Sequence, residues 1–494
     1  MDSSHECALY ADFLNYRLRS STMTWIVAVI GSVAGFLFGY DEGIIAGSLD
    51  LVKNHFNLNA THIGVMASAL PFGALFGSML IGAITASKGA KRFGRRTLLS
   101  FAGVLFFFGA LGAGFADSIV VLVISRLVLG LAIGVASVMA PLYLAETATY
   151  ETRGAVVAIY QLAMTVGIVC SYSVNYLFLE NNDWRAMFAS SAIPALILSI
   201  GILLMPESPR WLCSVGRRNA ASKALKKLRK SHSIQHELTD IERTLANEPK
   251  KGSWLLLFKS PLLPVLLLGT VLFCLQQLSG INVIIYFAPE IFKNLGMNSI
   301  TGQILATIGI GMVNLLVTVI AILSVDKVGR RNLLLYGFSG MFFSLLALCV
   351  FSLYQVVWLP FLSVACLILY ICSFAVSVGP IPHIAMAEIF PLHVRGAGMG
   401  FSAMSNWTFN TVVIFSFPLL EKMMGIEYTF ALYAVICLLG LIYAYFYMPE
   451  TKGISLEQIE NYIMSGKSLR LLGREEISST EDISKKESSC LAST

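Results

Sequence analysis

Two charged residues interrupt apolar stretches of this sequence, and they are the side chains best placed to do chemistry. Asp41 lies within GFLFGYDEGIIAG, and Arg126 lies within ISRLVLGLAIG. A carboxylate or guanidinium in hydrocarbon is costly unless it is paired or lines a wet cavity. Burial and a neighbouring cation shift the proton affinity of a carboxyl in opposite directions, so a movement that changes either makes it bind or release a proton. We predict that Asp41 and Arg126 form a proton-coupling pair, the alternative being a static ion pair between two helices.

The two charges are expected at similar depth in neighbouring, oppositely directed segments. Asp41 lies six residues before Gly47, and Arg126 lies about eight residues into its own segment. At 1.5 Å per residue these offsets are about 9 Å and about 12 Å. Glu42, the next residue, points about 100° away on a helix, toward a pore mouth or another helix. The sequence therefore favours no direct coupling role for Glu42.

A second group of polar side chains has the composition of a solute-binding site. Four members share the segment LQQLSGINVIIYFAPEIF. Its Gly280 and Pro289 can interrupt a helix, and discontinuous helices are typical of transporter binding sites. Amides donate and accept hydrogen bonds at once, which fits a ring of hydroxyls, and an aromatic ring suits the apolar face of a pyranose. The alternative is hydrogen bonding between helices. The predicted binding residues are Gln161, Gln276, Gln277, Asn282, Tyr286, Asn314, Asn406, Trp407 and Asn410.

The segments that carry these residues are long and apolar. Of the 494 residues, 56% are hydrophobic and 13% are charged, whereas soluble domains carry roughly 25% charged residues. Apolar stretches of about 20 residues recur, the length that a helix needs to cross a bilayer. We predict an all-α membrane protein with twelve transmembrane helices. The expected spans are 24–47, 60–86, 98–115, 118–144, 155–179, 184–205, 262–288, 300–324, 332–353, 359–387, 397–420 and 428–447.

The basic residues are concentrated in alternate loops. Five lie between Lys88 and Arg96, and eleven lie between Arg210 and Lys251. The positive-inside rule places these loops and both termini in the cytoplasm. Topology thus explains the basic charge, so we predict no nucleic-acid partner. The first 22 residues are polar, and we expect no cleavable signal peptide.

The two halves of the chain repeat one another. Three pairs of motifs recur in the same order at offsets of 235, 242 and 243 residues. These are GRR at 94–96 and 329–331, E-x6-RG at 146–154 and 388–396, and PES at 206–208 with PET at 449–451. Two parallel six-helix halves with solute bound between them are the architecture of a rocking transporter. The predicted divisions are a cytoplasmic tail 1–22, a half 23–205, a cytoplasmic linker 206–256 with short helices, a half 257–448, and a cytoplasmic tail 449–494, largely disordered at its end.

Over residues from about 23 to 455, these motifs resemble those of the sugar porters of the major facilitator superfamily. The most specific are PESPRW at 206–211, QQLSGIN at 276–282 and PETKG at 449–453. Bacterial xylose–proton and plant monosaccharide–proton symporters are the most similar types. The resemblance implies that Asp41 of the FGYD motif couples to protons with Arg126; facilitative glucose carriers typically have asparagine at that position. It also implies sugar contacts by Gln161, Gln276, Gln277, Asn282, Asn314 and Asn406.

The resemblance further implies a gate of ion pairs in the cytoplasmic loops, which closes the inner side in the outward-open state. The predicted gate residues are Arg95, Arg96, Glu146, Arg153, Glu207, Arg330, Arg331, Glu388, Arg395 and Glu450. Two positions depart from the family pattern. His383 stands where many members have a tryptophan that stacks on sugar, and is either a sugar contact or a structural histidine. Lys91 stands where an aspartate is frequent, while Asp326 is present in the second half.

Taken together, the sequence predicts symport of a monosaccharide with protons across a bacterial inner membrane. The alternatives are a polyol or inositol symporter, a passive sugar facilitator, and a sugar sensor without transport. No nucleophile–base pair, phosphate loop or Cys/His cluster is recognisable, so we predict no enzyme activity, no cofactor and no metal. A monomer suffices for this function, and the oligomeric state is left open.

Overall fold

The computed structural model of the chain is helical almost throughout. Lys91, the first 20 residues and the end of the C-terminal tail, which we expected to be disordered, lie outside the part that it describes. The described residues are 21–86, 93–149, 152–229, 234–246, 254–391, 394–454, 456–467 and 469–472.

Eighteen α-helices occur within these ranges. The first half contains α1 (Thr22–Phe56), α2 (Ala60–Ala86), α3 (Arg95–Gly114), α4 (Ile119–Thr147), α5 (Arg153–Leu179), α6 (Trp184–Ser190) and α7 (Ala192–Leu204). The segment between the halves contains α8 (Pro209–Ser214), α9 (Arg218–Leu228) and α10 (Ile234–Ala246). The second half contains α11 (Leu263–Leu278), α12 (Ile281–Asn294), α13 (Ile300–Val328), α14 (Arg330–Leu353), α15 (Leu359–Ser373), α16 (Ile381–Ile389) and α17 (Arg395–Tyr447), and α18 (Leu456–Met464) follows.

The apolar helices account for twelve membrane crossings. Eleven helical segments of the described chain are long and apolar enough to span a bilayer. The last of them, α17, has 53 residues and would be about 80 Å long if straight, far more than one crossing needs. Gly425 breaks it with φ 84° and ψ 165°, a conformation that favours glycine. Its two arms therefore cross separately, and the prediction of an all-α, twelve-span membrane protein is confirmed.

Several spans are longer or less regular than hydropathy alone suggested. α1 continues nine residues beyond Gly47 to Phe56, so Asp41 lies deeper within its helix than we expected. The seventh span is divided into α11 and α12 at Gly280, which has φ 93°. The tenth contains a π-helical turn at Phe374–Val378 between α15 and α16. Such irregularities are frequent at functional sites, because they free backbone groups and redirect side chains.

Close packing of α1 on α5 sets the position of the acidic segment of α1. Gly35, Gly39 and Gly43 follow one another at four-residue spacing and face α5. A Cβ at Gly39 would lie 1.8 Å from the carbonyl oxygen of Met164. Because backbone atoms cannot move aside as side chains can, only glycine allows this approach of the two helices.

We expect Gly39→Ala to lower the free energy of unfolding by about 1–3 kcal/mol, the usual penalty for overpacking. Thermal unfolding of the detergent-purified protein measures this effect. Gly309→Ala in α13 is the matched control, because nothing lies within 4 Å of its Cβ position. Equal melting temperatures for the two variants would show that the α1–α5 contact is not limiting.

Helices α8–α10 form a small unit with its own apolar centre of Trp211, Leu225 and Leu238. Arg229 attaches this unit to the end of α4, since its guanidinium donates to the carbonyls of Thr147 and Ala148 at 2.8 and 3.0 Å. It also pairs with Glu237 at 2.8 Å. The segment between the halves is therefore bound to the first half.

Candidate functional site

Asp41 and Arg126 meet in the interior of the first half. Arg126 Nη1 lies 3.7 Å from Asp41 Oδ2, and the two side chains are 0% and 1% exposed. Arg126 Nε donates to the carbonyl of Met66 in α2 at 2.9 Å, which orients the guanidinium. Among the described residues, neither carboxylate oxygen of Asp41 and neither Nη atom of Arg126 has a hydrogen-bond partner.

This geometry suits a pair that changes its contacts during a cycle. At 3.7 Å the two groups attract each other without a formed hydrogen bond, whereas charge-assisted N–H···O bonds are about 2.7–2.9 Å long. A structural ion pair in so dry a place normally satisfies its remaining donors and acceptors. The unfilled bonding capacity of both groups means that water, a proton or a shifted side chain could complete the site.

Four predicted amides form one hydrogen-bonded network in the second half. Asn406 of α17 donates to Gln276 Oε1 at 2.7 Å and accepts from Gln277 Nε2 at 3.2 Å. Asn282 of α12 donates to Gln277 Oε1 at 2.7 Å. The break at Gly280 makes this possible, because it places the last turn of α11 and the first turn of α12 around the same point. We call Gln276, Gln277, Asn282 and Asn406 the amide network.

His383 adjoins the amide network. The side chain of Gln276 donates to the carbonyls of Val378 and Gly379, at the end of the π-helical turn. The His383 ring also bonds to the Gly379 carbonyl, and it packs edge-on against Phe273 at 4.7 Å. His383 is exposed.

The other predicted binding residues lie in different surroundings. Gln161 is exposed and Asn314 is half-buried, and in the described chain no hydrogen bond joins either to the amide network. Asn410 is buried, and its Oδ1 has no partner among the described residues. Trp407 packs against Phe38 of α1, with ring centroids 5.5 Å apart. The sequence reasoning missed Phe38, although its position three residues before Asp41 could have indicated it.

Tyr286 differs most from its expected place. It is fully buried, and its hydroxyl has no partner in the part of the chain that is described. It interacts electrostatically with Asp41, Glu42 and Arg126 of the first half. Tyr286 therefore lies where α12 packs against α1, near the acidic segment of α1.

The GRR, E-x6-RG and PES motifs of the first half form a charge cluster. Arg95 Nε lies 3.3 Å from Glu146 Oε2, and the Ser208 hydroxyl donates to the same oxygen at 2.5 Å. The Glu207 carboxylate accepts a hydrogen bond from the backbone N–H of Arg96 at 3.0 Å. It lies so close to Gly94 that a Cβ at that position would be 1.9 Å from a carboxylate oxygen of Glu207. The PES motif is thus joined to the GRR motif.

The second half repeats this arrangement with the corresponding residues. Arg330 Nη2 lies 2.8 Å from Glu388 Oε1, and the Thr451 hydroxyl donates to Glu388 Oε2 at 2.6 Å. Glu450 accepts from the backbone N–H groups of Arg330 and Arg331 at 3.0 and 3.2 Å. The repeated motifs of the sequence therefore form the same ion pairs and hydrogen bonds in both halves.

Within these clusters the two arginines of each GRR motif have different partners. Arg95 and Arg330 pair with the glutamates in the present state. The guanidinium groups of Arg96, Arg331, Arg153 and Arg395 bind backbone carbonyls. The acceptors are Leu203 and Met205 for Arg96, Tyr445 for Arg331, Ala145 for Arg153, and Phe390 for Arg395.

The two halves are joined by ion pairs near the C-terminal end of α1. Lys53 pairs with Glu290 at 3.3 Å, and Lys293 pairs with Asp50 at 3.1 Å. Each helix thus contributes one acid and one base, three residues apart, to what we call the distal ion-pair cluster. Just below it, the Tyr172 hydroxyl donates to the carbonyl of Ile285 at 2.9 Å, also across the halves. This end is closed in the present state.

Comparison with known proteins gives the family. The family model described as "Sugar (and other) transporter" matches residues 27–462. The chain belongs to this family. Its relatives include a Bacillus subtilis protein named as a metabolite transporter, 41% identical over 90% of this chain and 95% of that protein. The arabinose-proton symporter of Escherichia coli K12 is 36% identical over 91% of this chain and 96% of its own length.

Solved structures of the xylose transporter XylE from Escherichia coli share the fold. Its inward open conformation matches with a TM-score of 0.77 at 29% identity, covering 89% of this chain and 99% of that one. XylE bound to 6-bromo-6-deoxy-D-glucose, described as a proton:xylose symporter, matches with a TM-score of 0.74 at 30% identity, covering 89% and 99%. As a member of the sugar transporter family, the chain is a multi-pass integral membrane transporter of the major facilitator superfamily, not an enzyme.

Proposed function

We propose that this transporter carries a monosaccharide together with protons by alternating access. The observation that carries the proposal is the pairing of two unlike sites across one interface. A buried acid–guanidinium pair lies in the first half, and a preformed amide network lies in the second. Phe38 of α1, three residues before Asp41, packs against Trp407 of α17, the residue after Asn406. Relatives named as arabinose-proton and galactose-proton symporters support the same function.

The amide network suits a polyhydroxylated solute. Each amide now donates to or accepts from another amide, so its polar atoms remain satisfied while no sugar is bound. Sugar hydroxyls both donate and accept, and can replace these bonds one for one. Trp407 supplies an apolar face, and Gln161, Asn314, His383 and Asn410 are proposed as further contacts. A pentose or hexose fits this set, in keeping with relatives named for xylose, arabinose, galactose and glucose transport.

The halves 23–205 and 257–448 are proposed to move as bodies. The distal ion-pair cluster holds them together at one end, while Glu146 and Glu388 each pair with an arginine of their own half. This distribution is that of an inward-facing state. In the outward-facing state, the cytoplasmic clusters would approach each other and act as the predicted gate. The positive-inside rule then places both termini in the cytoplasm, and bacterial relatives favour a bacterial cell membrane.

One transport experiment tests the proposed function. The purified protein in proteoliposomes is given radiolabelled xylose, arabinose, galactose, glucose or inositol, with an imposed pH gradient and with or without an uncoupler. We expect uphill uptake of a monosaccharide that the uncoupler abolishes. Equal uptake under both conditions would indicate a passive facilitator, and inositol as the best substrate would indicate a polyol carrier. Binding without uptake would indicate a sensor.

The distal ion-pair cluster makes a prediction about conformation. Lys53→Glu places a like charge against Glu290, so we expect the two halves to separate at this end. Spin labels at the exposed Asn59 and Asn298 should then show a second, longer distance. The charge exchange Lys53→Glu with Glu290→Lys should restore the original distance. An unchanged distance in Lys53→Glu would show that apolar packing alone closes this end.

A further inference from the structure

Glu42 is a buried carboxyl for which the sequence indicated no direct coupling role. It is 5% exposed and follows Asp41 in α1. Residues four apart lie on the same face of a helix, so Glu42 shares the face of Phe38. Phe38 packs against Trp407 of the second half. Glu42 therefore lies on the side of α1 that faces the interface between the halves, whereas Asp41 is turned toward Arg126 of α4.

The groups around Glu42 do not neutralise a negative charge. The titratable groups that interact with it are Asp41 of α1, Tyr160 and Tyr172 of α5, and Tyr286 of α12. The Tyr172 hydroxyl already donates to Ile285. Throughout the described ranges, no cation pairs with Glu42 and no group donates a hydrogen bond to it.

A count of charges shows what this arrangement requires. Asp41 and Glu42 together would carry two negative charges, and Arg126, the cation beside them, supplies one positive charge and lies against Asp41. An uncompensated carboxylate in a membrane interior is strongly disfavoured, and such a group normally takes up a proton instead. A neutral, protonated Glu42 is thus the form that the protein can bury while its two halves rock.

We propose that Glu42 is a second proton-carrying carboxyl of the transport cycle, so that each sugar molecule crosses with two protons. This inference rests on the proposed symport function. On the side of uptake, the Glu42 carboxylate accepts a proton from water and forms an O–H bond. The neutral acid stays buried while the halves rock. On the other side, the O–H bond breaks, the proton passes to water, and the carboxylate is regenerated. No other reactant is needed.

The number of protons per sugar tests the inference directly. Proteoliposomes with the full-length protein receive a pH gradient of one unit and a graded opposing gradient of a transported sugar, with D-xylose and D-glucose as probes. Equal potassium on both sides with valinomycin holds the membrane potential at zero. The sugar gradient that stops net flux gives the ratio, because each proton contributes about tenfold per pH unit. We expect about 100-fold for the wild type and for Glu42→Asp, and about tenfold for Glu42→Gln. Glu180→Gln, at an exposed position after α5, is the matched control and should stay at about 100-fold.

Each remaining outcome has a defined meaning. The same stopping gradient for Glu42→Gln and the wild type overturns the inference, and an altered KM at unchanged stoichiometry would make Glu42 a sugar contact instead. Sugar exchange without a gradient verifies that Glu42→Gln folds. If Glu42→Gln is inactive, the sugar gradient that stops net flux in the wild type decides the question. A tenfold gradient overturns the inference. A gradient of about 100-fold that Glu42→Asp retains supports it. A wild type without any response to pH would refute the proposed symport itself.

Discussion

Asp41→Asn is expected to abolish uphill sugar accumulation while sugar exchange continues. Asparagine keeps the size of the side chain but cannot bind and release a proton. Arg126 keeps its bond to the Met66 carbonyl, so the helices should remain in place. Arg126 then lacks its carboxylate in every state of the cycle, so proton binding no longer changes the charge of this pair. Glu42 does not replace Asp41 here, because it faces the interface between the halves rather than Arg126. The accumulation ratio should therefore fall to about one from the tenfold or more per pH unit that coupling allows.

Proteoliposomes with an imposed pH gradient provide the measurement, and counterflow of labelled sugar in the same vesicles provides the test of folding. Asp117→Asn is the matched control, because Asp117 is 96% exposed in the loop before α4 and should leave accumulation unchanged. If Asp41→Asn still accumulates sugar against its gradient, the proton must travel elsewhere, and the Asp41–Arg126 pair is structural.

Asn406→Ala is expected to weaken sugar binding by about 10–100-fold. Asn406 bonds to both glutamines of α11, so the substitution leaves Gln276 Oε1 and Gln277 Nε2 without this partner and also removes a sugar contact. An orphaned buried polar group costs about 1–3 kcal/mol, and 1.4 kcal/mol corresponds to a factor of ten in affinity. We expect the loss in KM rather than in the maximal rate, since the rocking of the halves does not depend on this amide.

Initial rates of exchange over a range of sugar concentrations separate the two parameters. Thr408→Val is the matched control: Thr408 is exposed, two residues along the same helix, and its hydroxyl bonds to the Met404 carbonyl within that helix. Its KM should stay within about twofold of the wild type, as surface changes are usually small. An unchanged KM in Asn406→Ala would mean that the amide network only holds helices together.

The internal repeat gives the two halves similar clusters but different tasks. In the described part of the chain, the amide network contains no charged residue, and no amide side chain hydrogen-bonds to Asp41 or to Arg126 Nη1 and Nη2. Coupling must therefore pass between the halves. Two interactions lie on that route: the ring contact of Phe38 with Trp407, and the electrostatic interaction of Tyr286 with the acidic segment of α1. The position of Tyr286, one turn from Asn282, would let sugar binding and proton binding influence each other.

The sequence by itself determined the fold class, the twelve crossings and the repeat. Hydropathy and span length are local properties of the chain, and a bilayer leaves helices as the simplest way to satisfy the backbone. The buried charges were equally visible, because Asp41 and Arg126 interrupt apolar runs. The amides were visible as a polar face beside Gly280.

Only the tertiary structure decided how these residues are used. Whether Arg95 or Arg96 meets Glu146 depends on where α3 begins and how it is rotated, a difference of one residue that no pattern specifies. The surroundings of Tyr286 and Glu42 could not be predicted for the same reason: the direction of a side chain is known on its own helix, but its neighbours come from helices more than a hundred residues away. The end at which the two halves are closed is likewise set by ion pairs between distant segments. Closure at one end or at the other would leave the helices themselves unchanged, so the local sequence does not distinguish the two states.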